Sequence, residues 1–105
     1  MAIELNKDNL EETIKNGVTL IDFWAPWCGP CRMISPVIDE LYEDYKNNDN
    51  VTIAKINTDD NQDLAVKYGV RSIPFILFIK NGEVMDQLIG AQSKQVLKDK
   101  IENLI

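Results

Sequence analysis

Segments with the apolar pattern of buried strands alternate with segments patterned as amphipathic helices along the whole chain. The Asn81-Gly82 pair lies between two strand-like segments and is a strong signal for a two-residue hairpin. Strands joined by helices pair in parallel, and a hairpin adds antiparallel strands. The pattern therefore predicts an α/β fold, with a mixed sheet of about five strands and helices on both faces. We predict strands at 3–5, 18–24, 51–57, 75–80 and 83–89, and helices at 8–16, 28–47, 62–68 and 93–105.

Two details of the helices also follow from the pattern. Asn61 precedes the third helix and is the predicted N-cap residue of that helix. The last helix is predicted to bury Val96, Leu97, Ile101 and Leu104.

The length and charge of the chain limit its organisation and its partners. A chain of 105 residues predicts one domain, residues 1–105. It has 11 Lys and Arg against 17 Asp and Glu, a net charge of −6. Nucleic acids and anionic membranes bind basic patches, so this balance argues against both as partners. A domain of this size can fold alone, and we expect a monomer.

The sequence also predicts a cytoplasmic location. Its longest apolar run, residues 73–79, is far shorter than the roughly 18 residues that span a bilayer. Residues 1–6 lack the basic and apolar regions of a signal peptide. In the cytosol a stable structural disulfide is unusual, and paired thiols more often indicate catalysis or metal binding.

The only two cysteines, Cys28 and Cys31, lie three positions apart at the predicted start of the long helix. Residues i and i+3 share a helix face, so the two sulfurs can reach each other. The helix N-terminus stabilises a thiolate on Cys28. Pro30 suits the first turn, and Gly29 leaves the sulfur open. We expect Cys28 to be the exposed nucleophile, and Cys31 to resolve the mixed disulfide from deeper in the helix.

Other readings of a Cys-x-x-Cys pair are less favoured. A zinc site needs four ligands, and a chain with two cysteines and no histidine supplies a standard site only by bridging two copies. A structural disulfide that closes so short a loop would constrain the unfolded chain little. Chance spacing remains a third alternative. We therefore predict that the pair holds no metal ion.

At this point the chain resembles the thioredoxin family. Trp27-Cys28-Gly29-Pro30-Cys31 is similar to the active-site sequence of that family, and the resemblance covers essentially the whole chain. Several further motifs occur in family order, namely Asp22-Phe23-Trp24-Ala25, Pro36, Ile73-Pro74, Lys80-Asn81-Gly82 and Gly90.

The resemblance implies a thioredoxin fold, a central sheet with four helices. It implies reduction of disulfides in substrate proteins, and regeneration by thioredoxin reductase with electrons ultimately from NADPH or ferredoxin. It also implies that no cofactor binds the chain itself.

Asp22 stands in an otherwise apolar strand pattern, where a carboxylate is unfavourable unless it is paired or protonated. From the residues alone, a strand-end aspartate in solvent and a structural ion pair are open alternatives. The resemblance implies a buried aspartate behind Cys31 that accepts and donates the proton of that cysteine. Lys55 is similar to the family lysine beside this aspartate, and we expect the two side chains to pair. A lysine whose charged end reaches water is the alternative.

The resemblance also implies a substrate groove around the sulfur. A proline such as Pro74 is trans in most proteins, but the family has a cis proline at this position that faces the active-site disulfide. The backbone of Ile73 would then pair with a bound substrate chain. The predicted groove is flat and uncharged and consists of Trp27, Gly29, Pro30, Ile73, Pro74, Gly90 and Ala91.

Two alternative functions remain beside the protein-disulfide reductase. A glutaredoxin-like protein would use glutathione, but its usual motif has tyrosine where Pro30 stands. A non-catalytic binding subunit or holdase would use the same fold only for docking. Such a binding role survives replacement of Cys28 and Cys31 by serine, and a reductase activity does not.

Overall fold

Five strands form one sheet in the computed structural model, which describes residues 1–105. The strands are β1 (Ile3–Glu4), β2 (Val18–Trp24), β3 (Val51–Asn57), β4 (Phe75–Lys80) and β5 (Glu83–Ile89). The helices are α1 (Leu10–Ile14), α2 (Gly29–Tyr45), α3 (Gln62–Lys67) and α4 (Lys94–Leu104). Across the sheet the strand order is β1-β3-β2-β4-β5.

The sheet is mixed, as predicted. β3 pairs in parallel with both β1 and β2, whereas β4 pairs antiparallel with β2 and β5. The α/β fold of five strands and four helices is therefore confirmed, and β2 to β5 begin and end at the predicted residues.

The central strand β2 is buried along almost its whole length, because sheet neighbours and helices surround it. Leu20 lies in a core cluster with Ile34 and Ile38 of α2 and Leu97 of α4. The residue after it, Ile21, lies in a second cluster with residues of α1 and α3, since successive side chains of a strand point to opposite faces. Burial on both faces explains the continuous apolar run that the sequence shows here.

Helix α2 packs against the sheet through one stripe of side chains. Ile34, Ile38, Leu41 and Tyr45 are buried at helical spacing. Cys28 is the N-cap residue of this helix, and Pro30 lies in the first turn. The missing N–H of a proline is harmless there, because the first-turn N–H groups have no partner within the helix.

The connection between β4 and β5 is the predicted two-residue hairpin. Asn81 has φ +49° and Gly82 has φ +83°, and Lys80 pairs with Glu83 across the turn. The Asn81 side-chain oxygen also accepts a hydrogen bond of 2.8 Å from the backbone N–H of Gly17. The hairpin is thereby connected to the start of β2.

Three predictions about helices are wrong in detail. Helix α1 is only five residues long instead of nine, from Leu10 to Ile14. Asn61 is the N-cap residue of α3, but its side chain makes no capping hydrogen bond, and its amide nitrogen donates to the Asn57 carbonyl instead. Val96 is 41% exposed, since it lies on the outer side of α4, whereas Leu97 and Ile101 are buried.

None of the helices combines the length and the apolar character that crossing a membrane requires.

The close approach of Gly17 to Asn50 yields a stability prediction. Gly17 has φ +75°, and a Cβ atom there would lie 2.5 Å from the Asn50 carbonyl oxygen. We expect Gly17→Ala to lower the free energy of unfolding by about 3 kcal/mol, because it combines left-handed strain with overpacking. Gly69→Ala is the matched control, because Gly69 has φ +70° but open space around the added atom. Its free energy of unfolding should fall by only about 1 kcal/mol. Equal decreases in the free energy of unfolding of the two variants, measured in urea, would contradict the role of the Asn50 contact.

Candidate active site

Cys28 and Cys31 form a disulfide at the amino-terminal end of α2. The Cys28 sulfur accepts a hydrogen bond of 3.2 Å from the backbone N–H of Cys31. An N-cap position has unpaired N–H groups and the positive end of the helix dipole close to the side chain. In the reduced chain both features stabilise negative charge on the Cys28 sulfur.

Exposure does not distinguish the two cysteines, and the prediction of an exposed Cys28 is wrong for this disulfide form. Cys28 is 4% exposed and Cys31 is 3% exposed. Both pack with Ala25, and the partly buried Trp24 and Ile73 lie against them. The two sulfurs differ instead in what lies beside them.

The surroundings of Cys28 belong to the predicted substrate groove. Its sulfur lies 3.8 Å from the Ile73 carbonyl oxygen. This contact is not a hydrogen bond, because a disulfide sulfur has no hydrogen to donate. The Ile73–Pro74 peptide bond is cis, as the resemblance implies. The backbone N–H of Gly90 donates to the Pro74 carbonyl at 2.8 Å and joins this loop to the end of β5. Ala91 is exposed directly after Gly90.

The other side of the groove is formed by the motif itself. Gly29 is half-buried and Pro30 is exposed beside the sulfur. Trp27 is 68% exposed, and its indole N–H lies 3.1 Å from each carboxylate oxygen of Asp59. Asp59 was not among the predicted site residues. A signal for it exists, because it follows β3 and parallel neighbours such as β2 and β3 end at the same edge of the sheet.

Cys31, by contrast, shares a small cavity with the buried residue Asp22. Both residues line this cavity between α2 and the sheet. Asp22 is 3% exposed, and burial raises the pKa of its carboxyl from 3.8 to about 7. The positive charge of Lys55 lowers this pKa, and the negative charge of Glu4 raises it. A carboxyl with such a pKa can accept or release a proton near neutral pH.

The predicted ion pair between Lys55 and Asp22 does not form. The two residues lie opposite each other on neighbouring strands, but the Lys55 ammonium pairs with Glu4 at 3.5 Å. It also lies 5.2 Å from the centre of the Trp24 ring. The reason is the edge strand β1, which places the more exposed carboxylate of Glu4 opposite Lys55. Lys55 therefore affects the pKa of Asp22 only through the electrostatic effect of its positive charge.

No group of three or more His, Cys, Asp and Glu side chains converges in a way that would hold a metal ion.

Comparison with known proteins agrees with the fold. The family model described as Thioredoxin matches residues 1–103. The chain belongs to the thioredoxin family. A solved structure of a mutant thioredoxin from Halobacterium salinarum NRC-1 superposes with a TM-score of 0.87 and 38% sequence identity, over 98% of this chain and 89% of that one. The fold is thus a thioredoxin fold.

Several curated thioredoxins are similar to the chain in sequence. It is 49% identical to a thioredoxin from Pyropia yezoensis, over 90% of this chain and 88% of that protein. It is 46% identical to thioredoxin 2 from Chlorobaculum tepidum, over 97% of this chain and 94% of that protein. It is 48% identical to a chloroplastic M-type thioredoxin from Pisum sativum, where the match covers 96% of this chain but only 59% of the longer pea protein.

Membership of the thioredoxin family identifies the type of reaction that the Cys28–Cys31 pair carries out. The pair is the redox-active centre of a protein-disulfide reductase, a dithiol–disulfide oxidoreductase.

The raised pKa of Asp22 predicts a pH-dependent stability difference from the Asp22→Asn variant. Below about pH 4 the carboxyl is protonated in both the folded and the unfolded chain. Between about pH 4 and 7 the unfolded chain releases this proton and the folded chain keeps it, so the folded state loses stability as pH rises. The variant lacks this loss, and its stability relative to the parent should rise by about 4 kcal/mol across the window. Urea unfolding of the oxidised proteins at several pH values measures it, and a constant difference would contradict the assignment.

The two charges near Asp22 predict opposite effects on its pKa. Lys55→Gln removes a cation and should raise the pKa of Asp22, whereas Glu4→Gln removes an anion and should lower it. Titration of the Asp22 carboxyl carbon by NMR measures both shifts. Shifts of the same sign in the two variants would show that changed packing, rather than charge, controls this pKa.

Proposed function

We propose that the chain is a general reductase of protein disulfides, in which Cys28 attacks the substrate and Cys31 resolves the product. The observation that supports this most directly is the difference between the two sulfurs. The Cys28 sulfur lies at the helix N-terminus, 3.8 Å from the Ile73 carbonyl oxygen, whereas Cys31 lines the same cavity as Asp22. Cys28 thus lies at the proposed groove, and Cys31 shares a cavity with a residue that can accept a proton.

In the first step the Cys28 thiolate attacks one sulfur of a substrate disulfide. A bond forms between Cys28 and that sulfur, the substrate disulfide breaks, and the second substrate sulfur leaves as a thiolate. The backbone of Ile73 aligns the substrate chain by strand-like pairing. The groove around it consists of Trp27, Gly29, Pro30, Ile73, Pro74, Gly90 and Ala91.

In the second step Cys31 loses its proton to Asp22 and attacks Cys28. The Cys28–Cys31 disulfide forms, and the remaining substrate sulfur leaves as a thiolate, so two electrons have passed from the dithiol to the substrate. A carboxyl with a pKa of about 7 suits this role, because it accepts a proton at neutral pH and can release it again. Lys55 tunes the acceptor through its charge.

The cycle closes when a thioredoxin reductase reduces the Cys28–Cys31 disulfide with electrons that come ultimately from NADPH or ferredoxin. We propose a cytoplasmic site of action, since a thiol pair that must return to the reduced state works in a reducing compartment. Cell fractionation with an antibody to the chain tests the location, and recovery in an organelle fraction would contradict it.

The activity itself is tested by reduction of a model protein disulfide. The purified chain, a thioredoxin reductase and its electron source should reduce insulin disulfides much faster than the reductase alone. A rate no higher than that of the reductase alone would contradict the proposal. The Cys28→Ser/Cys31→Ser double variant should be inactive, whereas a binding subunit or holdase would keep its partner in this variant.

The order of attack is tested by trapping. Cys31→Ser should form long-lived mixed disulfides with substrate proteins, because the resolving sulfur is absent. Cys28→Ser is the matched control and should trap far less. Peptide mapping identifies the linked cysteine, and equal trapping by the two variants would contradict the assigned order.

A further inference from the structure

Arg32 follows the second cysteine directly, and its guanidinium has no role in the chemistry described so far. The cations of all six ion pairs in the chain are lysines, so Arg32 has no carboxylate partner. Its Nη1 nitrogen instead donates a hydrogen bond of 2.9 Å to the Pro26 carbonyl. The side chain therefore reaches back from α2 to the segment that precedes Cys28.

The segment that precedes Cys28 is a β-turn. The Cys28 N–H donates to the Ala25 carbonyl at 3.1 Å, and Pro26 occupies the second position of the turn, where its fixed φ is favourable. This bond uses the Ala25 carbonyl, so the Pro26 carbonyl remains available to Arg32. The Arg32 backbone N–H also donates to the Cys28 carbonyl at 3.2 Å. Arg32 is thus bonded to this segment twice, once by its backbone and once by its side chain.

The guanidinium extends from Pro26 towards Gly29. A Cβ atom added at Gly29 would lie 3.9 Å from the Arg32 Nη2 nitrogen, while the Nη1 nitrogen bonds to Pro26. A guanidinium is planar and presents its donors in a fixed arrangement, so it holds one geometry better than the ammonium of a lysine does. Pro26 and Arg32 are both exposed, so loss of this contact leaves the core intact.

These contacts close a ring that contains both cysteines. The chain runs from Pro26 through Cys28 and Cys31 to Arg32, and the side-chain hydrogen bond joins the two ends. Movement of the turn away from α2 would separate the two sulfurs, and the same movement would break this bond. In the dithiol form no covalent link joins the sulfurs, so the bond between Arg32 and Pro26 limits this movement.

We propose that Arg32 is a positioning residue that holds Cys28 within reach of Cys31 and thereby favours closure of their disulfide. A dithiol that is already held together forms this bond with a smaller loss of conformational freedom. Arg32 thus makes the chain a stronger reductant. This inference rests on the proposed function, since it concerns the same cysteine pair.

The positive charge of Arg32 predicts the opposite effect on disulfide formation. A cation near Cys28 stabilises its thiolate, which belongs to the dithiol form, and so opposes closure of the disulfide. The sign of the change when Arg32 is replaced therefore distinguishes positioning from charge.

The test is the equilibrium constant for oxidation of the chain by the cyclic disulfide of dithiothreitol. In this reaction the Cys28–Cys31 bond forms, the dithiothreitol disulfide breaks, and its two thiols are released, so two electrons pass from the chain to the reagent. Alkylation of the free thiols and mass spectrometry measure the fraction of each form. Arg32→Met removes the hydrogen-bond donor and should lower the constant about fivefold, the factor of one ordinary hydrogen bond.

Lys15→Met is the matched control, because it makes the same change in net charge at an exposed lysine that belongs to none of the six ion pairs. It should keep the parent constant. An unchanged or raised constant in Arg32→Met would overturn the inference, since a raised constant would assign the effect of Arg32 to its charge. An equal decrease in Lys15→Met would also overturn it, because net charge alone would then explain the result.

Amide hydrogen exchange of the reduced chain gives a second measurement. The Cys28 N–H should exchange faster in Arg32→Met than in the parent, because the turn that it closes opens more often. Exchange at the parent rate would contradict the positioning role. Both measurements use the chain without a reductase or a substrate protein, so a failure of the proposed function shows in the insulin assay and not here.

Discussion

The burial of the central strand β2 is the constraint on which the rest of the structure depends. β2 pairs with β3 on one side and β4 on the other, and core clusters cover both of its faces. Every side chain of β2 except that of Trp24 is therefore buried, including the carboxyl of Asp22. Because the same strand face lies under the start of α2, Asp22 lines a cavity together with Cys31, whereas the Cys28 sulfur lies against the Ile73 carbonyl.

The burial of Asp22 has opposite effects on the stability of the fold and on the proposed proton transfer. The buried carboxyl destabilises the folded chain at neutral pH, since its ionised form has lost water without gaining a direct ionic partner. The same loss of water raises its pKa to about 7, where proton exchange with a thiol is effective. An apolar residue at this position would give a more stable core, but in the proposed mechanism it would leave the Cys31 proton without an acceptor.

The backbone architecture could be predicted from the sequence, whereas side-chain partners could not. β2 and β3 are long apolar runs, and Asn81-Gly82 has the chemistry of a tight hairpin, so local signals sufficed. The cis Ile73–Pro74 bond and the burial of Asp22 were implied only by family resemblance. The Lys55–Glu4 pair and the Trp27–Asp59 contact depend on which strand occupies each edge and where each strand ends, which no local pattern contains. The burial of Cys28 was missed because the loop that covers it is distant in sequence.

The central claim is that the two cysteines have separate roles because only Cys31 has a proton acceptor. The most direct test is the rate at which Cys31 resolves a preformed Cys28 mixed disulfide, measured across pH in the parent chain and in Asp22→Ala. The account predicts that the parent rate varies with pH through a group of pKa about 7, and that the variant resolves more slowly and lacks this dependence. Identical rates and identical pH profiles in the two proteins would contradict it.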